Sequence, residues 1–238
     1  MFLKKLIYLK KEPLLPFVFP FCDVEGKFLT PFGLIKSRSF CFFYLLVVTL
    51  IWQFLGFGHW GGRSCVTLIE QLSCASSIWP KKFISAPHEY FFSFFTSPFF
   101  HNDLPHLKLV LFGFLIFGQS FEVRTNFKST LIIFFSSITL TCITMGFFMN
   151  FGNFIIPDSE FFLGALNRSF MGGSIGMFGL LGALSDFSRY KFLIPSLVII
   201  FEIWNRFGNG MNLYISIGHL TSFVFGFIIW NYLSSRQD

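Results

Sequence analysis

One serine and one histidine lie in two glycine-rich apolar stretches of the sequence. Ser174 belongs to the stretch MGGSIGMFGLLGA (171–183), and His219 belongs to the stretch GHLTSFVFG (218–226). Both stretches predict apolar helices, where a hydroxyl or an imidazole must be buried in a helix bundle or face a water-filled cavity. If the two helices touch, a serine nucleophile meets its base inside the bilayer, which is the arrangement that hydrolysis through an acyl-enzyme needs.

The spacing of small residues predicts that the two helices approach each other closely. On a helical projection Phe178 shares the face of Ser174, and small side chains line the opposite side of that helix. On the other helix small residues recur at four-residue intervals beside His219. Small residues let helix backbones come together, as a hydrogen bond between Ser174 and His219 requires. The residues predicted at these helix contacts are Gly176, Gly179, Gly218, Ser222 and Gly226.

The composition of the chain predicts a membrane protein. Of its 238 residues 53% are hydrophobic and 13% are charged, and the mean hydropathy is +0.65. Such a composition does not supply a water-soluble surface. The sequence predicts an all-α, polytopic bundle of six transmembrane helices, two of them short for the roughly 17 to 20 residues that a span needs. The six apolar segments are 40–57, 104–119, 130–149, 169–186, 192–204 and 211–233.

The distribution of basic residues predicts how the bundle is oriented. With the N-terminus inside, most Lys and Arg residues fall in connections that face the cytoplasm, as the positive-inside rule expects. The prediction is an integral, multi-pass membrane protein with both termini in the cytoplasm. It has three parts: a basic cytoplasmic N-terminal segment (1–38), the membrane domain (39–233) and a short cytoplasmic tail (234–238).

The long connection 58–98 is predicted to lie on the outer side, and loops of that length are usually functional. It contains Cys65 and Cys74, and the sequence leaves open whether they form a disulfide. The net charge of +6 comes from residues beside the predicted spans, which favours contact with anionic lipid and excludes nucleic acid as a partner. The sequence has no phosphate-binding loop and no metal-ligand spacing, so we expect neither a metal nor another cofactor.

Four motifs together resemble those of the rhomboid family of intramembrane serine proteases. The family's GxSG motif on the fourth helix is similar to residues 172–174 followed by Phe178, and its AHxxGxxxG motif on the sixth helix is similar to residues 218–226. The family's second-helix histidine pattern resembles residues 101–107, and its GxxxE ending resembles residues 118–122. The four motifs occur in the family's order.

The resemblance implies a function as well as a six-helix rhomboid fold. Ser174 would be the nucleophile and His219 the base of a Ser-His dyad that cleaves transmembrane segments of membrane proteins. Backbone N–H groups and His106 would hold the oxyanion, and a short fourth helix would begin at Ser174 partway into the membrane. The implied partners are a transmembrane protein substrate and the lipid bilayer. The residues that the resemblance assigns to the oxyanion region and its support are His106, His101, Gly172 and Phe178.

The sequence departs from the family's pattern at several positions. Val110 occupies the place of an oxyanion asparagine, and Phe92 and Ser93 occupy the place of a tryptophan-arginine pair. Ile175 follows the serine where the family has a small residue, and Ser222 replaces a glycine. Loss of one oxyanion donor costs about 10²–10³ in turnover where it has been measured. The alternative is therefore a catalytically weak or inactive rhomboid-like pseudoprotease that binds transmembrane helices as a chaperone or adaptor.

Overall fold

Helices make up the regular structure of the computed structural model, which describes residues 13–56 and 68–235. Within these two ranges the strand-like pairings are isolated bridges, so the predicted all-α class is confirmed. In chain order the α-helices of the described residues are α1 (Pro31–Ser37), α2 (Ser39–Leu55), α3 (Leu68–Ser76), α4 (Lys82–Ser85), α5 (Pro87–Thr96), α6 (Leu104–Gly113), α7 (Gln119–Arg124), α8 (Phe127–Ile155), α9 (Glu160–Leu166), α10 (Ser174–Leu184), α11 (Leu193–Gly208) and α12 (Leu213–Ser235).

Three helical stretches of the described chain are long and apolar enough to span a membrane. They are α8, α12 and the stretch Leu104–Arg124, in which a π-helical turn joins α6 to α7. The helices α1 and α2 add a fourth span if they are counted together, although they bend by 92°. The predicted count of six is not confirmed, because α10 has 11 residues and α11 has 16. Eleven helical residues rise about 16 Å, roughly half of the hydrocarbon core of a bilayer.

The short helix α10 lies at the centre of the bundle, between α12 and α8. Every residue of α10 except Ile175 is buried. Its glycines make this possible, since a Cβ at Gly176 would overlap the ring of Phe134 on α8. On the other side, a Cβ at Gly226 of α12 would overlap the backbone of Gly179. The two helices that carry the predicted serine and histidine therefore touch backbone to backbone, as small residues allow.

Ser222 and Gly218, also predicted at helix contacts, behave differently from each other. Ser222 is fully buried, and its Oγ donates a hydrogen bond to the carbonyl of Ile175 (2.5 Å), which ties α12 to the first turn of α10. A Cβ built on Gly218 would meet no atom within 4 Å among the described residues. Gly218 borders a cavity instead, and the described residues show no close helix contact at this glycine.

Polar contacts fasten the described part of the N-terminal segment to one end of the bundle. Glu122 of α7 accepts hydrogen bonds from the backbone N–H groups of Phe40 (2.8 Å) and Cys41 (2.9 Å). These donors belong to the first turn of α2, which has no intrahelical acceptor for them. Next to them, the N–H of Val18 donates to Ser120 Oγ (2.9 Å). The bend between α1 and α2 is therefore held by the carboxylate at the end of α7.

The described part of the long connection forms three short helices, α3 to α5, which pack against the bundle. The hydroxyl of Tyr90 on α5 donates to the carbonyl of Cys142 on α8 (2.6 Å). Ile78 pairs with Phe170 through two N–H···O bonds of 2.8 Å, which hold the loop before α10. Cys74 is disulfide-bonded. The sequence left open whether its partner is Cys65, and Cys65 lies outside the described residues.

Candidate active site

The loop before α10 places Ser174 at the start of the helix. Gly172 in this loop has a φ of +104°, a conformation that glycine adopts freely and other residues rarely do. The N–H of Gly172 donates to the carbonyl of Ser97 (2.9 Å), and Gly173 is the N-cap of α10. Because Ser174 is the first helical residue, its backbone N–H is one of the donors that a helix start leaves without an intrahelical acceptor. Both the hydroxyl and this N–H are thus at the same end of α10.

His219 of α12 faces Ser174 across the contact between α10 and α12. Its Nε2 lies 3.2 Å from Ser174 Oγ, which is the reach expected for a nucleophile and its base. Ser174 is 6% exposed and His219 is 4% exposed, so both are shielded from bulk water. The ring of Phe178 is parallel to the imidazole, with 4.2 Å between the ring centroids and 5° between the planes. The structure brings together the serine, the histidine and the aromatic residue that the sequence singled out.

Glu202 of α11 lies on the other side of His219 and is absent from the site predicted from the sequence. Its Oε1 is 2.9 Å from His219 Nδ1, and its side chain is 3% exposed. Its second oxygen, Oε2, has no hydrogen-bond partner among the described residues. A carboxylate within an apolar helix is costly and is a functional candidate by default. A single acid in the predicted apolar segment 192–204 is the signal that the sequence offers for this residue, and it does not indicate the partner.

His106 lies against the loop next to Ser174. Its imidazole occupies the space that a side chain on Gly172 would need, so a glycine is required there by contact as well as by conformation. The backbone N–H of His106 donates to Asp103 Oδ1 (2.8 Å), which caps the start of α6. An imidazole and the open N–H of Ser174 therefore lie beside the same loop, as expected for an oxyanion site.

His101 lies next to His106, with 5.2 Å between the ring centroids. It is 4% exposed, and its Nε2 has no hydrogen-bond partner among the described residues. Burial and, to a lesser degree, the neighbouring His106 lower the pKa of His101 to about 3. The ring is therefore neutral near pH 7 and packs against His106 as an uncharged group.

The residues that depart from the family pattern add no free donor to the site. Val110 is fully buried, and its Cγ1 lies 3.3 Å from the place that a Cβ on Gly173 would take. Ser93 is buried on α5, where its Oγ donates to the carbonyl of Tyr90 (2.6 Å). Phe92 of the same helix is 64% exposed. An apolar side chain thus lies next to the loop at the position of the family's asparagine.

A cavity of about 530 Å³ borders the site. Ser174, His219 and His106 line it, together with polar residues such as Asn205 and Arg168. Its volume falls within the roughly 300–1,000 Å³ that is usual for binding pockets. Among the described residues no group of three His, Cys, Asp or Glu side chains is placed to hold a metal ion. Ser174 therefore lies on the wall of a cavity.

The fold and the site together define a class: a helical protein with membrane-spanning segments, in which a buried serine and histidine share a cavity. The family model of the Rhomboid domain matches residues 88–236, more than half of the chain. The chain belongs to the rhomboid family and is an integral membrane protein. No curated protein and no solved structure matches it significantly.

Proposed function

We propose that this rhomboid-family protein is an intramembrane serine endopeptidase that cleaves transmembrane segments of membrane proteins with Ser174 and His219. The observation that supports this most directly is the 3.2 Å separation of Ser174 Oγ and His219 Nε2. Both groups are buried and border the same cavity. Ser174 begins the short helix α10, and His219 lies beside it on α12. A serine hydroxyl is a weak nucleophile unless a base accepts its proton, and this geometry supplies the base.

The proposed reaction begins when His219 Nε2 accepts the proton of the Ser174 hydroxyl as Oγ attacks the carbonyl carbon of the scissile peptide bond. The carbonyl oxygen becomes an oxyanion, which accepts hydrogen bonds from the backbone N–H of Ser174 and from His106. The imidazolium then gives its proton to the leaving amine, and an ester to Ser174 remains. Water from the cavity attacks the ester with His219 again as the base, which releases the new carboxyl end and restores the serine.

The location of the site supports a transmembrane segment as the substrate. Ser174 begins a helix that is buried between the two spans α8 and α12. We therefore expect the chain that carries the scissile bond to enter the bundle beside these spans. The cavity is lined largely by apolar side chains, such as Met145, Met149 and Ile215, and these favour an apolar segment over a water-soluble peptide.

The second candidate function is a pseudoprotease that binds transmembrane helices without cutting them, as a chaperone or adaptor. Val110 favours it, since a buried valine lies beside the loop at the position where the family has an oxyanion asparagine. The close pairing of Ser174 with His219 opposes it. A binding protein has no need of a serine hydroxyl within proton-transfer distance of an imidazole.

Labelling with a fluorophosphonate separates the two functions. We expect the detergent-solubilised protein to be modified at Ser174, and both Ser174→Ala and His219→Ala to abolish the modification. Ser185→Ala is the matched control, because Ser185 is a fully buried serine that directly follows α10 at its other end; this variant should label like the wild type. Failure of the folded wild type to label, together with no cleavage of a type I membrane substrate in liposomes, would favour the pseudoprotease.

A further inference from the structure

We propose that Glu202 is a positioning residue for His219, so that the active group is a Ser174–His219–Glu202 triad rather than a dyad. This inference rests on the proposed function, because it concerns how the base of that reaction is oriented. Glu202 comes from α11, a helix that the predicted site did not include. Three helices, α10, α11 and α12, would then each supply one member.

The geometry of the three side chains is that of a hydrogen-bonded chain. Glu202 Oε1 lies 2.9 Å from His219 Nδ1, and His219 Nε2 lies 3.2 Å from Ser174 Oγ. The two nitrogens are on opposite edges of one imidazole, so the ring is bonded on both sides. The side chains of His219 and Glu202 are 6% and 3% exposed. Water therefore does not compete for either bond to the extent that it does at a surface pair.

Within the described ranges no Lys or Arg side chain forms an ion pair with the buried carboxylate of Glu202. Its partner there is the imidazole of His219, and its Oε2 has no hydrogen-bond partner. A buried carboxylate without a partner is strongly unfavourable. The hydrogen bond from His219 thus stabilises the carboxylate at this position of α11. The carboxylate in turn determines which nitrogen of the histidine carries the proton.

The carboxylate selects the tautomer that catalysis needs. An ionised Glu202 has no proton to donate, so His219 must carry a proton on Nδ1 to bond it. The lone pair of the neutral ring is then on Nε2, facing the serine hydroxyl. When the hydroxyl proton moves to Nε2, the imidazolium is stabilised by the adjacent negative charge. The proton later leaves from Nε2 to the departing amine, and Glu202 stays ionised throughout.

Glu202 supplies a restraint that Phe178 does not. The parallel stack of Phe178 on His219 fixes the plane of the imidazole, at 5° between the ring planes. A stack is compatible with both ring orientations related by a half-turn about the Cβ–Cγ bond, which exchanges Nδ1 with Cδ2 and Nε2 with Cε1, and it does not select a tautomer. The bond from Nδ1 to Glu202 selects one orientation and one tautomer. The two contacts together leave the base one orientation.

The test is the variant Glu202→Gln, which keeps the size of the side chain and removes its charge. We expect the turnover number for a transmembrane substrate, and the rate of fluorophosphonate labelling, to fall by about 10³–10⁴, as when the orienting carboxylate is neutralised in other serine hydrolases. The KM should change by only a few-fold, because Glu202 acts through His219 and not on the substrate. Glu202→Asp should restore part of the rate.

A control separates this role from a structural one. Glu122→Gln also removes a buried carboxylate, one that accepts two backbone N–H groups at the start of α2. It should lower the melting temperature and leave the turnover per folded molecule unchanged. Equal turnover of Glu202→Gln and wild type, with only a lower melting temperature, would overturn the triad and leave the Ser174–His219 protease in place.

A second readout does not depend on cleavage. In protein labelled with ¹⁵N-histidine in lipid bilayers, the signals that vanish in His219→Ala belong to that residue. We expect their shifts to show a proton on Nδ1 in the wild type and a different tautomer distribution in Glu202→Gln. Unchanged shifts would overturn the proposal even if the protein proved to be a pseudoprotease. If Glu202→Gln does not fold, the same comparison is made with Glu202→Asp, whose shorter side chain lengthens the bond.

Discussion

At the scale of the residue, Val110 is the side chain that works against catalysis in the proposed site. It is fully buried, and its Cγ1 lies 3.3 Å from the place of a Gly173 Cβ. Its methyl groups cannot donate a hydrogen bond to an oxyanion. Fixed donors aimed at the developing charge are usually the largest single contribution to such a reaction. The remaining donors are the N–H of Ser174 and the imidazole of His106.

Val110→Asn should therefore raise the turnover number, by up to about 10²-fold if the amide reaches the oxyanion. The same change buries a polar group, and we expect it to lower the free energy of unfolding by about 1–3 kcal/mol in the absence of substrate. The measurement is the cleavage rate of a transmembrane substrate in liposomes. Val110→Leu has nearly the shape of asparagine without a donor and should give no gain. Equal rates for the two variants would mean that the oxyanion is held elsewhere.

Individual residues of the site differ in how far the sequence reveals them. Ser174 and His219 stand out because glycines at helical spacing surround each of them, and the same glycines bring their helices together. Glu202 did not stand out, since a single acid in an otherwise apolar segment gives no partner by spacing alone. Its partner is 17 residues away on the next helix, and only the packing of α11 on α12 relates the two.

At the scale of the element, the contact between α10 and α12 sets the distance between the serine and the histidine. A Cβ at Gly226 would overlap the carbonyl group of Gly179. Backbone cannot move aside as a flexible side chain does, so a larger residue must push the helices apart. The proposed base and nucleophile are on these two helices, and their separation follows the separation of the backbones.

Gly226→Ala should destabilise the protein by about 1–3 kcal/mol and slow the labelling of Ser174. Gly218→Ala is the matched control on the same helix, because a Cβ at this position meets no atom of the described residues within 4 Å. Alanine there should raise the free energy of unfolding slightly, by less than about 1 kcal/mol, since it favours the helix. Thermal unfolding in detergent measures both. Equal melting temperatures for the two variants would contradict the close contact at Gly226.

Elements were predictable in kind but not in length. Apolar composition predicts helices, and three of the six predicted segments, 104–119, 130–149 and 211–233, lie almost entirely in helices long and apolar enough to span a membrane. The segment 169–186 is as apolar as its neighbours, yet its first five residues form a loop and α10 begins at Ser174. Gly172 takes a positive φ in this loop, and its N–H donates to the carbonyl of Ser97. Ser97 lies far from the segment in the sequence, so the segment alone does not reveal this hydrogen bond.

At the scale of the whole molecule, the buried His101 couples stability to pH. Its pKa is lowered to about 3 from an ordinary value of 6.5. Between these two pH values the unfolded chain binds a proton at this residue and the folded chain does not. The stability that depends on His101 is therefore complete above pH 6.5 and is lost as the pH falls toward 3, by up to about 1.4 kcal/mol per pH unit.

His101→Gln should make the decline of melting temperature between pH 6.5 and 4 shallower than in the wild type. The glutamine is polar but does not titrate, so one of the protons taken up on unfolding disappears. His88→Gln serves as the control, because the side chain of His88 is 83% exposed, and it should follow the wild-type curve. An unchanged slope in His101→Gln would show that other groups carry the acid sensitivity.

The cavity and the N-terminal segment lie at opposite ends of the bundle. The cavity lies where α6, α10 and α12 begin and α11 ends, whereas Val18 and Arg38 are bonded to Ser120 and Gln119 at the far end of the Leu104–Arg124 stretch. We therefore expect the serine to be accessible from one side of the membrane. In sealed proteoliposomes an impermeant serine reagent should modify only the molecules whose cavity faces outward, and the modified fraction would measure their insertion.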